Sequence, residues 1–235
     1  MPLSQSGLRQ VIGSLRTVGA PGGAASQSLL SHWPFVTISR EAGTGAVGVG
    51  TLLAERLNGT DPPEHPWQCL DRELVERIAS DHHISTDLID SLERSSHTWI
   101  SEFLAGLSRS DNAPSELVVF RRCVETMRAL ARAGHVILVG LGGMFITRDM
   151  PGGIHVRLVA PLEWRVQHLS DHDQLPMVEA RKRVELLDAD RKSFFAKFWP
   201  GEPLRPECFH LTLNAGRLSD AQMVDAIVAL LRTQR

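Results

Sequence analysis

The sequence predicts an α/β domain built on one doubly wound parallel sheet, and three observations carry that expectation. Short β-branched runs alternate with helical periodicities along almost the whole chain. The run from His135 to Gly140 (HVILVG) is apolar without a break, as in a strand covered on both faces. Between Phe35 and Leu57 a strand-like run passes into a helical one through a glycine-rich turn.

That last stretch organises the rest. FVTIS, from Phe35 to Ser39, reads as a buried strand, and TLLAERL places Leu52, Leu53, Ala54 and Leu57 at helical spacing. Gly43, Gly45, Gly48 and Gly50 are expected in the turn between them. Glycine accepts positive φ and carries no side chain, so bare N–H groups there can close on a phosphate. The helix that follows adds the positive end of its dipole. The expectation is an anion site, for a nucleotide phosphate. Gly43 to Gly48 also fits the G-x-G-x-x-G pattern of dinucleotide-binding domains, but there the first glycine follows the strand almost at once. Here Arg40, Glu41 and Ala42 intervene, the longer exit that a loop wrapped around phosphates needs. A strand-to-helix turn without ligand is the plain alternative.

A chain of 235 residues can bury a substantial core, and a net charge of −2 gives no global electrostatic case for nucleic acid. No apolar run is long enough to span a bilayer. Cys69, Cys123 and Cys208 are odd in number and lack metal-ligand spacing, so free thiols in a reducing, cytoplasmic setting are expected.

In chain order, residues 1–32 form a leader without acidic side chains. Leu8, Val11, Ile12 and Leu15 recur at helical spacing, and a Gly/Ala/Ser-rich linker follows. A helix docking on its own domain or on a partner subunit, a mobile tail, and a targeting segment all fit. A possible homo-oligomer or protein partner would engage this helix. The domain proper is expected over 33–235. Trp67 to Leu70 is a short second strand, and Asp71 is placed to cap the helix after it. His82 and His83 are adjacent and so point apart, which fits surface or hinge positions better than a metal. Helices are expected over Ser85 to Glu93 and Trp99 to Leu107, and a long one from Glu116 to Ala133, ended by Gly134. Ile154 to Val159 is a strand, with Pro161 opening a helix that carries Glu163 and Arg165. A charged helical stretch covers Met177 to Lys197. Cys208 to Leu213 reads as the last strand, and Ser219 caps a closing helix from Ala221 to Arg232.

With that order in place, the chain resembles the cytidylate kinase-like family, a branch of the nucleoside monophosphate kinases. The resemblance runs from about Pro34 to Leu231 and rests on ISREAGTGA, LDRELVERIA, VILVGLGG, HVRLVAPLEWR and LLDADRKSFFAKF. It implies a P-loop NTPase-like three-layer fold, a parallel sheet flanked by helices, with a helical monophosphate-binding insert and a lid. It also implies ATP and Mg²⁺ as cofactors and a nucleotide substrate. By position, Gly43, Thr44, Gly45, Ala46, Val47 and Gly48 would face the ATP phosphates. Asp71 and Arg77 would lie on the monophosphate side. Arg165 would begin the lid, over the donor base, while Arg181, Arg183 and Arg191 close on the phosphates and Asp188 holds them in register.

The sequence departs from the usual loop at three places. The lysine position holds Ala46, and the position of the metal-ligating hydroxyl holds Gly48. The strand-end motif of the family lacks its arginine, at Leu141. Arg40, at the loop entrance, is positioned to replace the lost charge, and with Arg183 and Arg191 it completes the expected catalytic set. Two functions follow: transfer of the γ-phosphoryl of ATP to a CMP-like nucleoside monophosphate, or a catalytically weak nucleotide-binding protein that regulates a partner. Dinucleotide-dependent redox chemistry is a third reading, tied to the G-x-G-x-x-G pattern.

Overall fold

The computed structural model describes residues 33–60, 66–73, 75 and 115–233. The leader, Arg77, the His82/His83 pair and the two helices expected between Ser85 and Leu107 lie outside the described residues.

Five parallel strands form one sheet: β1 (Phe35–Arg40), β2 (Gln68–Leu70), β3 (Val136–Val139), β4 (Gly153–Val159) and β5 (Leu211–Asn214), in the order β2-β3-β1-β4-β5. The first strand of the chain therefore lies in the middle, with Val36 opposite Ile137 on one side and Ile154 on the other. Whatever leaves its carboxyl end leaves from the centre of the sheet edge, where open α/β sheets place their ligands.

Strand residues alternate between two buried layers, as the period of two requires. Val36, Ile38, Ile137, Val139, Val156 and Leu158 meet α1 (Ala46–Thr60) and the closing helix on one face. Phe35, Val136 and Leu138 meet α2 (Ser115–Ala133) and the short α3 (Gly143–Thr147) on the other. Two further helices, α4 (Leu162–Asp173) and α5 (Met177–Phe198), form a hairpin turned by Gln174 in the left-handed region, φ 55°. The end of α5 is anchored in the second layer by rings: Phe198 stacks on Phe120 at 3.7 Å and Trp199 on Phe145 at 5.1 Å. Gly142 is required there, since a Cβ would stand 2.4 Å from the Trp199 ring. The closing helix, α6 (Asp220–Thr233), completes the first face through Met223, Val224, Ile227 and Leu231.

Three expectations need correction. The helix after the glycine loop starts at Ala46, so Gly48 and Gly50 are helical and the turn holds only Gly43 and Gly45. Gly50 is there for contact, because a Cβ would meet the Cys69 sulfur at 2.7 Å. Pro161 stands just before its helix, at the cap, with extended ψ. The last strand starts at Leu211, while Cys208 ends a 3₁₀ turn from Pro206, whose missing N–H suits a turn better than a sheet ladder. No described helix is long and apolar enough to cross a membrane.

Candidate functional site

Between β1 and α1 the chain makes a tight loop from Glu41 to Gly45. Gly43 and Gly45 have φ of 80° and 72°, open to glycine without strain. A Cβ at Gly43 would lie 2.5 Å from the Arg165 carbonyl oxygen, so the first turn of α4 packs directly on the loop. The Val49 N–H donates to the Gly45 carbonyl at 3.1 Å as α1 begins. Thr44 is buried and its hydroxyl donates to the Glu41 carbonyl at 2.9 Å. Ala46 is buried, Val47 is exposed, and a Cβ at Gly48 would have nothing within 4 Å. The first turn of α1 carries no acidic side chain, so its dipole is uncompensated.

Asp188, on α5, ties the hairpin to this loop. Its Oδ1 accepts the Ala42 N–H at 2.8 Å and Arg191 Nη1 at 3.2 Å, and its Oδ2 accepts Arg165 Nη1 at 2.5 Å. Arg165 is buried: Nε donates to the Ala160 carbonyl at 3.0 Å and Nη1 to that of Ala42 at 3.1 Å, with Glu41 Oε2 3.5 Å from Nε. The residue expected over a donor base is thus turned inward, onto the carbonyl of Ala42 in the loop and that of Ala160 before α4. Arg181 pairs with Glu163 and Arg183 with Asp173 at 2.8 Å, both partners being on α4. The structure brings Asp188, Arg165 and Arg191 together and does not bring Arg181 and Arg183 to them.

Arg40 is the centre of the open space. Its guanidinium lies on Gly140, where φ is 91° and a Cβ would fall 1.7 Å from Nη1. Burial, then the nearby Arg191 charge, holds its pKa down to about 10, against the pull of Asp71. A cavity of about 290 Å³ opens beside it, lined among the described residues by four arginines, Arg40, Arg72, Arg157 and Arg191, and one acid, Asp190. An adjoining compartment of about 590 Å³ shares Arg40, Arg157 and Arg191. Arg40 also lines a hollow of about 420 Å³ with Val47, Asp71, Arg72 and Glu73. Leu141 lines the first cavity, in the place expected of an arginine.

The sequence profile of the cytidylate kinase-like family matches residues 35–217. The chain belongs to the cytidylate kinase-like family. Among solved structures, that of an uncharacterized protein from Eubacterium ventriosum superposes with a TM-score of 0.65 at 18% identity, over 85% of this chain and 98% of that one, and shares the fold. A shikimate kinase from Bacteroides thetaiotaomicron gives a TM-score of 0.43 at 13% identity, over 85% of this chain and 98% of that one. A uronate isomerase from Corynebacterium glutamicum is 23% identical over 170 residues, 69% of this chain but only 32% of that protein. The chain spans about a third of that relative, whose isomerase activity is not carried over. Family membership supports a nucleotide-binding phosphotransferase on an α/β fold of the P-loop kind.

Two cavity arginines, Arg72 and Arg157, are not among the site residues expected from the sequence. Arg72 follows Asp71 directly and reads as an ordinary solvated helix residue. Arg157 left one signal, a charge inside an otherwise apolar strand, HVRLV.

Proposed function

We propose that this member of the cytidylate kinase-like family moves the γ-phosphoryl of ATP to a nucleoside monophosphate of the CMP type. The observation that supports this reading most is the convergence of Arg40 and Arg191 on one cavity at the carboxyl edge of the sheet, beside the glycine loop. Amides from Gly43 to Ala46, with Val47 and Gly48 in the first turn of α1, would hold the donor phosphates, and Asp71 and Arg77 would serve the acceptor. An acceptor phosphate oxygen forms the new bond to the γ-phosphorus as its bond to the bridging oxygen breaks and ADP leaves. Arg40 and Arg191 offset the charge that spreads over the transferred group. Arg165 and Asp188 hold the loop and Arg191 in place. Arg181 and Arg183 would act only if the hairpin shifts.

The described residues do not fit a Mg²⁺ held by the protein. No group of three or more His, Cys, Asp or Glu is placed for a metal, Gly48 replaces the hydroxyl, and the Thr44 hydroxyl is committed to Glu41. The ion would arrive with ATP, on its phosphates.

A second reading, a catalytically weak nucleotide-binding protein acting on a partner, is favoured by Ala46, by Leu141, and by the Asp188 carboxylate seated on a loop amide. One assay separates the two. ADP formation from magnesium-ATP that depends on CMP, UMP or AMP supports the kinase; ATP binding at equilibrium with no monophosphate-dependent turnover supports the second.

A further inference from the structure

Arginines around this site are mostly matched by carboxylates. Arg165 and Arg191 pair with Asp188, and Arg128, in the second buried layer, pairs with Asp149 at 2.7 Å. Among the described residues, no carboxylate closes an ion pair with Arg40 or Arg157. Arg157 sits on β4 opposite Ser39, half-buried, on the strand face that also carries His155. One of its nitrogens donates to the Leu204 carbonyl at 2.9 Å, and its guanidinium lies 5.8 Å from the centre of the Phe209 ring. Both arginines line the same two compartments, together with Arg191, whose charge Asp188 already matches. Cations drawn out of water without a counter-charge are costly, and a cavity that holds them is relieved by an anion. Phe194 and Phe195 also line the smaller compartment, an apolar surface suited to a planar ring.

We propose that Arg157 is an acceptor-binding residue: with Arg40 it seats the phosphate of a nucleoside monophosphate whose uncharged part rests on Phe194 and Phe195. This rests on the phosphotransferase reading and adds to it a residue from the sheet itself, opposite the Asp71 side. The planar fork of arginine matters here, because it meets two phosphate oxygens at once, which a lysine cannot do.

Calorimetric titration of the full chain with CMP, AMP and a non-hydrolysable ATP analogue tests it, using wild type, Arg157→Met and Arg157→Lys. Loss of a charged hydrogen-bonding partner predicts monophosphate affinity lower by about tenfold or more in Arg157→Met, with Arg157→Lys between and the ATP analogue within about twofold of wild type. A folded Arg157→Met protein that binds monophosphates as wild type does, or that loses both ligands equally, overturns the assignment and leaves the proposed function standing. If that variant does not fold, Arg157→Lys decides by the same comparison. Wild type that binds the ATP analogue but neither monophosphate removes the acceptor site alone. Wild type that binds no nucleotide removes the function and this site together.

Discussion

Arg40 belongs to the loop entrance by sequence and to the cavity by geometry, and no other described cation lines all three hollows. Replacing it with Met keeps the stem and removes the charge. Monophosphate-dependent kcat/KM should fall by about 10²–10³, as for loss of one preorganised electrostatic partner, and steady-state kinetics would show both a lower kcat and a higher KM for the monophosphate. His155 offers a test of stability. Its Nδ1 lies 2.8 Å from the Thr37 hydroxyl oxygen, and burial, then the neighbouring His210, lowers its pKa to about 4. The unfolded chain takes up this proton near pH 6.5 and the folded one only near 4. Stability from this group is thus full above about pH 6.5 and declines as pH falls to about 4, by up to about 3 kcal/mol. Melting temperatures across that range should drop less steeply in His155→Gln. Single residues were legible where local order determines them: Arg40 follows from its place at the strand exit. Asp188 on the Ala42 amide spans 146 positions, a contact that no local pattern encodes.

At the scale of elements, the strands and the long helices were legible because burial imposes its period on them. Boundaries were less so. Gly48 and Gly50 read as loop residues by type, yet both lie in α1, where close approach to the Cys69 sulfur explains glycine at position 50 and nothing within 4 Å explains it at 48. The hairpin of α4 and α5 was legible as charged helix, but not the division of its arginines. Arg181 and Arg183 bond across to α4, whereas Arg165 and Arg191 share Asp188. That division makes Asp188 the hinge pin between hairpin and loop. Asp188→Ala would leave the buried Arg165 without its nearest carboxylate, lowering stability on the order of 2 kcal/mol. Hydrogen exchange should quicken in the first half of α5 and stay slow near Phe198, where stacked rings hold the helix. Uniform quickening along α5 would show that the rings, not Asp188, set the position of the hairpin.

For the molecule as a whole, the sheet order places loop, cavity and hairpin at one edge, so ligand and fold share the same contacts. A nucleotide present at about a hundredfold its Kd should add about 2.7 kcal/mol to stability and raise the melting temperature by several degrees. A scan with ATP showing no shift would contradict nucleotide binding under either functional reading. Gly48 faces open space from the first turn of α1. A side chain there would meet no neighbour, so the position can take a larger residue without disturbing the loop or the sheet. Gly48→Ser should therefore fold as the wild type does, so that any gain in turnover reads the added hydroxyl alone, apart from the charges missing at Ala46 and Leu141.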